Sequence, residues 1–109
     1  MKGFTSTYNK GFRMGFENGF SISVQWGTGN YCEVKTLPKE INTELQEPFW
    51  SSSNAEIAVF DKEGGMIDIS NDDVVIGWVT PDNVAKIISI IQLATTTEEM
   101  TIKIKSLNI

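Results

Sequence analysis

The strictest constraint on this chain is the alternation that runs through residues 11–26. Phe12, Met14 and Phe16 fall on one face against Arg13, Gly15 and Glu17, and then Phe20, Ile22, Val24 and Trp26 alternate with Ser21, Ser23 and Gln25. A period of two is the signature of strands, so the segment reads as a hairpin. A two-residue turn at Asn18-Gly19 would set Phe16 opposite Ser21 and send the apolar sets to opposite faces. A three-residue loop over 17–19 instead pairs Phe16 with Phe20, Met14 with Ile22 and Phe12 with Val24, with Gly19 in the left-handed position. One face of this hairpin is then wholly apolar and needs a cover, most economically a helix.

The rest of the chain supplies that cover. Residues 1–9 read as a frayed lead-in or an edge segment, 27–32 as a turn-rich connector, and 32–36 as a short strand. Periodicity fails over 37–54, where Pro38 and Pro48 break the pattern and Glu40, Glu44 and Glu47 charge it, although Ile41 and Leu45 leave room for a helical turn. Strands are predicted at 55–60, 66–69 and 74–79, forming an antiparallel meander. Thr80-Pro81-Asp82 then opens a helix to about Ala94, with a hydroxyl cap, proline in the first turn and an acid at the positive end of the macrodipole. Val84, Ile87, Ile88 and Ile91 form its core stripe. Ile90 and Leu93 widen that stripe, which calls for a second layer or a second subunit, and a homo-oligomer is expected. Met100, Ile102 and Ile104 alternate with Thr101, Lys103 and Lys105 as a last strand. The expected fold is one α+β domain over 1–109, an antiparallel sheet of about five to six strands packed on one helix in the C-terminal half.

Composition narrows the chemistry. With no histidine in 109 residues, Ser/His/Asp and Cys/His catalysis and ordinary zinc sites cannot be built within the chain. A lone Cys32 closes no intramolecular disulfide, which favours a reducing compartment or a chain indifferent to redox state, with the cytoplasm as the default expectation. Lys2, Lys10 and Arg13 precede no apolar run of signal-peptide length, and no stretch approaches a membrane span, so neither export by that route nor membrane insertion is expected. Fourteen acidic against nine basic residues argue against nucleic acid as a partner.

Each candidate site has a structural alternative. Gly27-Thr28-Gly29 lacks the lysine and hydroxyl of a phosphate loop and reads as a turn around Asn30. Cys32 reads as a small, partly buried side chain. Asp68, Asp72 and Asp73, with Glu56, Asp61 and Glu63 against Lys62, lack calcium-loop spacing. They form a solvated turn region or an acidic surface for a basic partner. Trp26 and Trp78 lie on strands and read as core or groove lining. Tyr31 is a further aromatic near a strand end, and Phe49-Trp50, in the irregular stretch, are harder to bury and are candidates for a partner or ligand contact. Arg13, the sole arginine, lies on the face opposite Phe12, Met14 and Phe16; it reads as a solvent-exposed strand arginine or, should a phosphate or carboxylate be bound, as the best single group to hold it. No catalytic residue, metal ligand or cofactor is assigned.

The runs FRMGFENGFSISVQWGTGNYC, AEIAVFDKEGGMI and DDVVIGWVTPDNVAKII, covering about 11–33 and 55–92, resemble a group of small bacteriophage-encoded proteins. The resemblance carries over no catalytic residue. It implies a viral accessory protein in the host cytoplasm, working by occupation. The leading expectation is a non-enzymatic inhibitor that binds a host anti-phage defence protein through the 27–33 turn, the 37–54 loop and exposed aromatics. The alternative is a sponge for a nucleotide immune signal, held by Arg13, Asn30, Tyr31 and Trp50.

Overall fold

A computed structural model describes residues 2–8, 10–33, 51–70 and 73–109. Five strands, β1 (Gly3–Ser6), β2 (Gly11–Gly15), β3 (Ser21–Gln25), β4 (Ala55–Phe60) and β5 (Val75–Val79), lie side by side in chain order. Every pairing is antiparallel. Two helices follow, α1 (Pro81–Leu93) and α2 (Thr97–Ser106), giving the α+β class.

The β2–β3 hairpin has the three-residue loop. Phe12 pairs with Val24 and Met14 with Ile22, Phe16 N donates to Phe20 O at 2.9 Å, and Gly19 has φ 93°. The loop also reaches the helix layer. Asn18 Nδ2 donates to Ile91 O at 2.8 Å and Ala94 O at 2.9 Å, while its Oδ1 accepts from Phe20 N at 3.1 Å. The last turn of α1 contains no basic residue, so this amide satisfies carbonyls that a helix leaves orphaned at its C-terminus.

α1 begins as its sequence dictates. Thr80 Oγ1 accepts from Asn83 N at 3.3 Å, Pro81 opens the helix and Asp82 sits in the first turn. Ile87 and Ile91 are completely buried against Phe20, Ile22, Ile57 and Val59 from the apolar sheet face, and Val84 and Ile88 are half-buried beside them. Each fully buried aliphatic side chain contributes about 1.5–3 kcal/mol.

Three expected elements differ. The last strand is the helix α2. Thr96 Oγ1 accepts from Glu99 N at 3.1 Å and Glu99 Oε1 accepts from Thr95 N at 3.4 Å, a capping arrangement, and Met100 and Ile104 are buried while Ile102 is 69% exposed. Spacings of two and four coincide at 100 and 104, so the alternation also satisfies a helix face. Met100 and Ile104 share a core cluster against which Ile90 packs, so α2 covers part of the wide α1 stripe while Leu93 stays 67% exposed. Segment 66–69 makes one bridge, Met66 to Phe60, and one hydrogen bond, Ile67 N to Val59 O, rather than a strand. β5 takes the edge of β4 over Ala55–Ala58, which leaves only Val59 and Phe60 for this segment. Ile67 and Ile69 are buried even so. Cys32 and Glu33 lie in a turn closed by Cys32 N to Asn30 O at 2.9 Å, not in a strand, and residues 34–36 lie outside the described residues. Within the lead-in, Gly3–Ser6 form the edge strand β1. Among the described residues no helix is long and apolar enough to cross a membrane.

Candidate functional site

β5 carries an irregularity with consequences for the surface. Ile57 pairs with Ile76 but Ala55 pairs with Val79, so two steps along β4 face three along β5. This is a bulge. The extra residue is absorbed at Gly77 and Trp78, and Trp78 takes φ 53°. Left-handed backbone costs an L-residue about 1–2 kcal/mol, and a bulky aromatic is rare there. The turn aims the indole away from the core and leaves Trp78 54% exposed. Of its two expected places, core or groove lining, Trp78 takes the second: the bulge turns it outward, where it lines a surface groove.

The 27–33 turn is built around this indole. Asn30 Oδ1 accepts from Gly27 N at 2.9 Å, and Cys32 Sγ is buried 3.6 Å from Gly27 O. Glu56 on β4 holds the turn with both oxygens, accepting from Asn30 Nδ2 at 3.1 Å and Tyr31 N at 3.0 Å. Tyr31 O then accepts from Trp78 N at 2.8 Å, and the two rings meet at 5.6 Å with 45° between their planes. A Cβ at Gly77 would stand 2.7 Å from Tyr31 Cβ, so only glycine permits this approach. The outcome is a braced aromatic pair, with Tyr31 itself 40% exposed.

Ser70, Asp73, Val75 and Ile109 join Tyr31, Gly77 and Trp78 around a shallow cleft of about 320 Å³. Asp73 is exposed; its Oδ1 accepts from Val74 N at 2.7 Å and its backbone is tied to Ser70 Oγ. Of the sequence candidates, the structure thus brings together Tyr31 and Asp73, with Asn30 beneath them as a structural brace.

The others lie elsewhere. Asp68 is exposed between buried Ile67 and Ile69 and does not line the cleft. Arg13 lies 3.7 Å over the Phe60 ring and donates to Ser21 Oγ from Nη2 at 3.2 Å, on the sheet face opposite the helices. Trp26 is on the helix side, edge-on to Phe12 at 6.3 Å, in a cavity of about 450 Å³ that Val24, Val79, Val84, Ile88 and residues 51–54 also line. The described lining of that cavity holds no ionisable side chain. Arg13 and Trp26 therefore do not share a site. Phe49, Trp50 and Asp72, and the 41–45 helical turn, lie outside the described residues.

Sequence reasoning missed Gly77 and Trp78 as site residues. The available signal was a glycine inside a β-branched strand, which marks bulges and close backbone approaches. No protein-family model, no curated protein and no solved structure matches the chain, so the geometry of the site carries the functional reading.

Proposed function

We propose that the protein is a non-enzymatic binding protein whose recognition surface is the braced Tyr31 and Trp78 pair, and that, in line with its resemblance to small phage proteins, it acts in the host cytoplasm by occupying a host defence protein. The observation that carries this reading is the conformation of Trp78. A left-handed tryptophan that is more than half exposed gives up backbone energy without gaining core burial, and strain of this kind persists at functional positions. Exposed, rigid aromatics are the side chains that anchor protein interfaces.

A second reading, capture of a small molecule, has the Trp26 cavity as its site. The volume of about 450 Å³ falls within the range of ligand pockets. Its uncharged described lining suits an apolar molecule better than a nucleotide, whose phosphates need cations. Native mass spectrometry of the protein purified from a bacterial host, beside Trp78→Asn, separates the two. A bound protein lost from Trp78→Asn supports the interface. A small retained mass present in both, and absent from Trp26→Ala, supports the cavity and contradicts the interface reading. Self-association, the expectation from the α1 stripe, has exposed Leu93 and Ile102 as its anchors; light scattering at micromolar concentration reads it directly.

A further inference from the structure

We propose that the cleft beside Trp78 takes one cationic side chain, an arginine or lysine of a partner protein, held between the indole face and the Asp73 carboxylate. This rests on the reading of the Tyr31 and Trp78 surface as an interface and names the chemistry of what it meets.

Charge complementarity and geometry point the same way. Asp73 has the sole charged side chain among the described residues around the cleft, alongside two aromatic rings and the apolar Val75 and Ile109. A carboxylate and an exposed indole that line one cleft suit a cation, which gains from the ring quadrupole and the acid together. Among the described residues one hydrogen bond reaches the Asp73 carboxylate, from Val74 N, which leaves acceptor capacity for a guanidinium or ammonium group. Lys105 lines the adjoining cleft, which shares Ser70, Ile76 and Ile109, and is not among the described residues lining the Trp78 cleft. The chain as a whole carries a net charge of −5, which steers basic partners toward it and repels polyanions.

The same geometry argues against simple strand addition. β5 is at the edge of the sheet, but the bulge at Gly77 and Trp78 breaks the regular ladder that an added strand would need. Recognition here is by a side chain entering a cleft.

The test is an NMR titration of the full-length ¹⁵N-labelled protein with N-acetyl-arginine methylamide, its neutral citrulline isostere and the matching glutamate compound. The expected result is a saturating shift of the Trp78 indole N–H and the Tyr31 and Asp73 amides with the arginine compound, at millimolar affinity and weakened by salt. Asp73→Asn is expected to weaken it at least threefold, and Trp78→Asn to abolish the shifts at Tyr31 and Asp73, both variants keeping dispersed spectra. Equal binding of the citrulline compound, or an undiminished response in Asp73→Asn, overturns the cationic partner and leaves the aromatic interface standing. No response of these groups to the arginine compound also overturns the proposal, while the interface reading is decided separately by the partner mass lost from Trp78→Asn.

Discussion

Gly77 and Trp78 form a matched pair of exceptions. One residue has no side chain so that Tyr31 can lie on the backbone, and the next has a large one in a conformation that suits glycine or asparagine. Gly77→Ala drives a methyl to within 2.7 Å of Tyr31 Cβ; the expected cost is about 1–3 kcal/mol in urea unfolding, with displacement of the Tyr31 ring. Trp78→Asn relieves left-handed strain but loses the ring contact with Tyr31, two effects of about 1 kcal/mol each and opposite sign. Its unfolding free energy is expected to stay within about 1 kcal/mol of wild type while binding is lost. A loss above 3 kcal/mol would assign Trp78 a structural role instead. At this scale the sequence was half legible. Tyr31 and Asp73 stand out as an aromatic near a turn and an exposed acid, whereas the outward aim of Trp78 depends on a register shift against Ala55 and Ile57, which no local pattern encodes.

At the scale of elements, the first hairpin was readable to the residue because side-chain parity and turn length leave one register. Its link to α1 was not, since Asn18 lies over seventy positions from the carbonyls that it caps. Asn18→Ala is expected to cost about 1–2 kcal/mol. Asn18→Asp should cost more, because it sets a carboxylate against carbonyls at the negative end of the helix dipole. Chemical denaturation of both variants checks the order, and equal stability of wild type and Asn18→Asp would remove the capping role. α2 shows the opposite failure. Its cap, Thr96 with Glu99, was present in the sequence, but three alternating apolar residues mimicked a strand. Thr96→Ala is expected to cost about 1 kcal/mol, with a fall in helical circular dichroism near the transition that a strand would not give.

At the scale of the molecule, the fold is a sheet with one face committed to the core and two helices closing it, so the apolar surplus of α1 is met in part within the chain. The other sheet face has Arg13 folded over Phe60, and exposed aromatic surface lies at both edges of the sheet, Phe4 on β1 and the braced Trp78 at the β5 bulge. That layout puts the surface proposed for recognition at the β5 edge, with a described lining that shares no residue with the Trp26 cavity. The most direct measurement is a quantitative capture from bacterial lysate with tagged wild type and Trp78→Asn, each hit then reconstituted from purified components. The account predicts a host protein retained at least tenfold more by wild type, binding it directly and not binding Trp78→Asn. Identical retention by both proteins, with equal affinity in the reconstituted pair, would contradict it.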